Sequence, residues 1–147
     1  MKTWLITFLA GSVGWYAISD PQQIAASSAP ARIDIAWTAS NAFGTYHLRG
    51  RFVIRGLNDG SSTSVSNESQ PNITHSEIEV RPGLYSLTLE DGFQLARKRE
   101  ADTTAVRSSL SSSNPLIVVA QPGRVVPATL SLIALREPAG TDAPCVN

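Results

Sequence analysis

Apolar side chains recur at every second position along most of this chain, from Ile33 to Ala134. That period is the mark of β-strands with one buried face. The clearest stretch runs from Ile78 to Leu95, I-E-V-R-P-G-L-Y-S-L-T-L-E-D-G-F-Q-L, and holds two turn signals and three strand-like segments. Tyr85, Leu87 and Leu89 alternate with Ser86, Thr88 and Glu90, and Phe93 and Leu95 resume beyond Asp91-Gly92. A loop of Asp91-Gly92 alone would put the two apolar sets on opposite faces. A three-residue loop, Glu90-Asp91-Gly92, pairs Leu89 with Phe93 and Leu87 with Leu95 on one face. The spacing therefore predicts a hairpin with a positive φ at Gly92. Arg81-Pro82-Gly83 and Gln121-Pro122-Gly123 are turns of a related kind, in which proline presets φ and glycine takes the left-handed third position.

The same grammar extends in both directions. Arg32–Thr38 turns Ile33, Ile35 and Trp37 inward. Tyr46 to Ile54 places Tyr46, Leu48, Phe52 and Ile54 on one face of a second, longer strand, or of a strand bent at Gly50. Leu57 to Asn72 is rich in Ser and Asn and predicts a long mobile loop. It carries two N-glycosylation patterns, Asn67-Glu68-Ser69 and Asn72-Ile73-Thr74. Strands follow at about 75–80, 84–90 and 93–99, then a mixed-charge turn at 97–102 and a strand over Ala105–Leu110. Leu116 to Val119 is continuously apolar, as expected of a strand buried on both sides or lying in the sandwich core. Arg124 to Leu135 reads as the last strand, with Pro127 marking an edge or a bulge. Seven or eight short strands, with no convincing amphipathic helix after the N-terminal segment, predict an all-β, antiparallel β-sandwich of immunoglobulin-like or prealbumin-like type.

Ahead of the domain, Met1-Lys2-Thr3 leads into an apolar run from Trp4 to Ile18 that Asp20-Pro21 stops. The run is shorter than the ~20 residues of a membrane-spanning helix and reads as an export signal over residues 1–19. Ala17-Ile18-Ser19 and Ile24-Ala25-Ala26 suit cleavage. The alternative is an uncleaved anchor through residues 4–18, the one expected route to a membrane. Residues 20–31 then form a linker, 32–136 the domain and 137–147 a flexible tail. Either way the domain is expected outside the cytoplasm, in the periplasm or beyond the cell.

Twelve basic and twelve acidic residues cancel, so no global field draws nucleic acid or an anionic membrane to the chain. The single cysteine, Cys145, excludes an internal disulfide and a cysteine metal cluster.

Val80-Arg81-Pro82-Gly83-Leu84-Tyr85-Ser86-Leu87-Thr88-Leu89 resembles the V-x-P-G-x-Y-x-L segment of prealbumin-like sandwiches, among them repeat domains of bacterial surface proteins and the regulatory domain of carboxypeptidases. The longer arrangement through D-G-F-x-L, L-S-S-S-N-P and Q-P-G is similar to small exported proteins of proteobacteria. The resemblance implies an envelope location and brings no catalytic residue with it. Surface repeat domains form a Lys–Asn isopeptide bond. Here Lys98 is the only lysine outside the N-terminal segment, so that bond is not expected.

Candidate chemistry is sparse. His47, Arg49, Arg51 and Arg55 fall at alternating positions on a polar strand face, where guanidinium forks suit a carboxylate, a phosphate or an acidic sugar. A solvated face with cross-strand partners Glu77, Glu79 or Asp34 is the plainer account. Phe43, in the turn before Gly44, is the aromatic expected at the surface. His47 and His75 lack the spacing of a metal site, and no metal or cofactor is expected. The serines at 108, 109 and 111–113 lie in no nucleophile elbow. The expectation is a non-catalytic envelope protein whose partner is an unidentified envelope protein or a glycan. The Leu57–Asn72 loop and the arginine face would form its binding surface. A carbohydrate-binding module, a small hydrolase using His47 or His75, and strand exchange with a partner are the rival readings.

Overall fold

The computed structural model describes residues 4–8, 29–100 and 102–135, and among them the chain is all β, without a helix. Thirteen strands follow in order. They are β1 (Trp4–Phe8), β2 (Ala31–Ala36), β3 (Thr38–Asn41), β4 (Gly44–Arg49), β5 (Arg51–Gly56), β6 (Ser62–Ser66) and β7 (His75–Val80). The rest are β8 (Gly83–Leu89), β9 (Gln94–Arg99), β10 (Asp102–Leu110), β11 (Leu116–Ala120), β12 (Val125–Ala128) and β13 (Leu130–Leu135). They build a six-stranded sheet β1-β13-β10-β9-β4-β3, a four-stranded sheet β11-β8-β5-β6 and a three-stranded sheet β12-β2-β7. Every pair is antiparallel except β12 with β2.

The count exceeds the seven or eight expected because three long strands break where they pass between sheets, and because β1 and β6 form in segments not read as strands. Trp37 is the first such corner, between β2 and β3. Its N–H donates to the Thr74 carbonyl ahead of β7, and its carbonyl accepts from Leu48 N–H in β4. The indole stays buried, 5.5 Å from the Phe52 ring, and donates to Ser76 Oγ at 2.7 Å. Gly50 is the second corner, between β4 and β5. A Cβ there would stand 3.0 Å from Phe93 Cβ and 3.3 Å from Leu89 Cδ1, so the backbone approaches its neighbours more closely than a side chain allows. The expected Arg124–Leu135 strand also divides, at Thr129, and Pro127 sits in β12 at the edge of its sheet, where a missing N–H is tolerated.

Alternation survives each corner. Ile33, Ile35, Trp37, Tyr46, Leu48, Phe52 and Ile54 are all buried, and Tyr85, Leu87, Leu89 and Leu95 join them in one core. The link from β8 to β9 is not the expected hairpin. The two strands lie in different sheets, β8 beside β5 and β11, β9 beside β4 and β10. Gly92 does take a positive φ, of 89°, but the chain arches across the core instead of doubling back. An arch satisfies the same inward pattern from opposite sides. Arg81-Pro82-Gly83 is likewise an arch, from β7 to β8. Gly83 is not left-handed; it opens β8, and the Tyr85 hydroxyl donates to the Arg81 carbonyl at 2.8 Å, holding the corner. Gln121-Pro122-Gly123 behaves as read, with φ of 66° at Gly123 and Arg124 N–H on the Gln121 carbonyl.

Two other expectations change. The Leu57–Asn72 segment is not one long loop, because Ser62–Ser66 pairs with Arg51–Arg55 as the edge strand β6. Its β-branched Thr63 and Val65 suit a ladder, while its many hydroxyls suit an edge facing water. Leu116–Ala120 is not buried on both sides. It is an edge strand whose Ile117 and Val119 are 53% and 57% exposed, while Val118 and Ala120 are buried in the core and Leu116 packs against it.

Trp4–Phe8, the start of the run read as an export signal, pairs residue for residue with Leu130–Ala134 of β13. The remainder of residues 1–19, most of the 20–31 linker and the 137–147 tail lie outside the described residues.

Candidate functional site

The basic stripe is carried by two strands. Gly50 divides it, so His47 and Arg49 lie on β4 in the six-stranded sheet, and Arg51 and Arg55 lie on β5 in the four-stranded sheet. Phe43, 36% exposed in the β3–β4 turn, sits at the opposite end of β4 from Arg49, about 20 Å away at the rise of an extended strand. The arginines nearest the corner already have partners. Arg49 Nη2 donates to the Glu68 carbonyl at 3.2 Å, and Arg51 lies 3.6 Å from the Glu68 carboxylate and 3.9 Å from that of Glu90. An anion would compete with these carboxylates in water, where each pair contributes little.

Next to these arginines is a residue that the sequence marks only as a glycosylation acceptor, with no hint of a structural role. Asn67, 1% exposed, accepts from Gly50 N–H on Oδ1 at 3.0 Å and donates through Nδ2 to the Leu48 carbonyl at 2.7 Å. It fastens the corner from both sides. Its amide is thereby closed to a glycan, so of the two acceptor patterns only the one at exposed Asn72 has an accessible asparagine.

His47 and His75 are held on different sheets, by β4 and β7. His75 Nδ1 lies 3.3 Å from Asp34 Oδ1, close but without the alignment of a hydrogen bond. The neighbouring hydroxyl, Ser76, projects to the other face of β7 and accepts from Trp37, so that histidine has no nucleophile beside it in its own strand. Among the described residues no three His, Cys, Asp or Glu side chains gather as a metal site would require. Two of the serines in the 108–113 run help close the sheet: Ser111 and Ser112 donate their N–H groups to the Ser131 carbonyl, and Ser112 Oγ accepts from Ser131 N–H.

A cleft among the described residues lies elsewhere. Where the edge strand β6 of one sheet faces the edge strand β7 of another, they leave a cleft of about 470 Å³. Ile54 and Val80 give it apolar surface. Ser61, Ser62 and Thr63 line it from β6 and the turn before it. Asp59 and Glu79 bring carboxylates and Arg81 a guanidinium, and Tyr85 also lines it. The β5–β6 turn that presents Asp59 depends on Gly56, where a Cβ would run into the Asp59 carboxylate and the Ser61 hydroxyl. Asp59 Oδ1 accepts from both the N–H and the hydroxyl of Ser61, at 2.9 and 2.7 Å. Those bonds, and more weakly the Arg81 charge, hold its carboxyl below the ordinary range. Burial, with a smaller push from Asp59, moves the Tyr85 phenol up, so it stays a neutral donor to the Arg81 carbonyl.

Hydroxyls, two carboxylates and a guanidinium around an apolar floor can hydrogen-bond a polyhydroxylated ligand of modest size. The Asp59 carboxyl is held low, opposite to what a general acid at neutral pH needs. None of the stripe residues named from the sequence lines this cleft. Compared with known proteins, the chain matches no family model, no curated protein and no solved structure.

Proposed function

We propose that the chain is a non-catalytic exported protein of the cell envelope whose β6–β7 cleft binds a ligand. The observation that carries the binding half is the cleft itself: polar groups from three chain segments converge over Ile54 and Val80, and no histidine lines it beside the hydroxyls. Export rests on the N-terminal pattern of one lysine, a short apolar run and small residues. The immunoglobulin-like or prealbumin-like type, and the envelope resemblance of Val80–Leu89, belong to the same proposal.

A glycan is the ligand class favoured, because adjacent sugar hydroxyls match carboxylate and guanidinium pairs while the apolar floor takes a ring face. The test is titration of the full chain with a panel of neutral and acidic oligosaccharides, beside Glu79→Gln and Arg81→Ala. The proposal expects binding that either substitution weakens about tenfold or more, equivalent to ~1.4 kcal/mol. Binding unchanged in both variants, but lost in Phe43→Ala or Arg49→Ala, would move the site back to the stripe. A fusion of residues 1–30 to a reporter active only outside the cytoplasm reads export separately.

A further inference from the structure

β1 is built from residues that the export signal also claims. Ile6 and Phe8 are 2% and 0% exposed, and face Leu132 and Leu130 across the β1–β13 ladder. The Ser131 hydroxyl meets Thr7 Oγ1 between them at 3.5 Å. With residues 1–19 removed, β13 would keep β10 on one side only, leaving the backbone of Leu130–Ala134 unpaired on the other. Leu130 and Leu132 would lose their apolar partners. A bare strand edge beside an empty apolar trough is the arrangement that accepts an added strand.

The rest of the chain is poorly suited to refill that slot. Residues 20–30, D-P-Q-Q-I-A-A-S-S-A-P, contain one large apolar side chain and two prolines, each lacking a ladder N–H. Residues 136–147, R-E-P-A-G-T-D-A-P-C-V-N, also contain two prolines and offer no pair of bulky apolar residues at alternate positions. A second mature copy would bring the same unsuitable tails, and its alternating strands are engaged in its own sheets.

We propose that the β13 edge is a strand-acceptor site. Once export has removed the N-terminal segment, an extended segment of a different envelope protein pairs antiparallel with β13 in place of residues 4–8. The occupant carries two bulky apolar side chains two residues apart, over Leu132 and Leu130, with a small or hydroxyl residue between them beside Ser131. The inference rests on the export reading above.

The test starts from the full chain, folded with residues 1–8 in place and carrying a site-specific protease sequence inserted between residues 20 and 27. After cutting, the nicked protein is mixed with a fluorescent peptide of residues 2–10, or with the same peptide bearing Ile6→Asp and Phe8→Asp. The expected result is that the nicked chain retains its N-terminal fragment through gel filtration and exchanges it for the labelled peptide. The doubly substituted peptide should bind about tenfold or more weakly. Three results would overturn the proposal. They are equal binding of both peptides, loss of the fragment with near-UV circular dichroism unchanged and no peptide uptake, and a dimer of nicked chains that excludes peptide. The intact mass of the chain recovered from the envelope reads export separately. A mass retaining residues 1–8 overturns the export reading and with it the partner's access, whereas a mature mass without peptide exchange overturns the acceptor slot alone.

Discussion

Replacing Asn67 by alanine removes two hydrogen bonds and leaves their partners, Gly50 N–H and the Leu48 carbonyl, stranded at a buried corner. Each stranded group costs about 1–3 kcal/mol. The expected loss is therefore ~2–6 kcal/mol, with the low end corresponding to a water entering the space. Against a domain stability of about 5–15 kcal/mol, that is a large fraction. At about 4–8 °C per kcal/mol for a domain near 100 residues, the midpoint falls by about 8 °C or more. Urea denaturation and a thermal melt of the full chain measure it, with Asn72→Ala, at an exposed site, as the control expected within ~0.5 kcal/mol of wild type. Asn67→Asp sharpens the test. The carboxylate has nothing to donate to the Leu48 carbonyl, so folding favours the protonated form and raises the residue's pKa above its unfolded value of ~3.9. The folded state then binds more protons than the unfolded, and stability falls as pH rises through that window. The aspartate variant should thus approach wild type in acid and fall away towards neutral pH. A loss under 1 kcal/mol in Asn67→Ala, or a pH-independent Asn67→Asp, would refute the reasoning.

Three further outcomes follow from the same packing. Gly50→Ala pushes a methyl against Phe93 and Leu89 and should cost about 1–3 kcal/mol by denaturant unfolding; a neutral result would show that the corner has room. Ile117→Thr and Val119→Thr, on the exposed face of β11, should change stability by no more than ~0.5 kcal/mol, whereas losses of several kcal/mol would restore a strand buried on both sides. Asp59 has a folded pKa below its ordinary 3.8, so its contribution is full above that value and is lost as pH falls through the lower folded pKa. Asp59→Asn should flatten this acid limb of the stability profile, and an unchanged limb would show that the Ser61 bonds do not form in solution.

The buried set was legible because alternation is local. Ile33 to Trp37 and Tyr46 to Ile54 announce their inward faces without reference to partners. Which sheet a strand joins was not legible. The run from Leu87 to Leu95 keeps its apolar residues inward whether it doubles back as a hairpin or arches between sheets, and only distant neighbours, Ile54 opposite Leu87 and Leu48 opposite Leu95, distinguish the two. β6 was hidden because an edge strand needs backbone partners more than apolar content. Ile117 and Val119 misled for the converse reason, being β-branched residues that suit a strand even in water. The cleft escaped notice because it draws on residues 54, 59–63, 79–81 and 85, which long-range packing brings together. The arginine stripe looked continuous only because the corner at Gly50 has no sign in a strand pattern beyond one glycine.

Amide-resolved NOE spectroscopy on isotope-labelled protein most directly tests the central claim, that single runs of alternating residues serve two sheets through sharp corners. It should find Phe52 flanked by Val65 on one side and Leu89 on the other, and Leu48 across from Leu95 in a separate sheet. Cross-strand contacts linking Leu87 to Leu95 as neighbours in one ladder would contradict it.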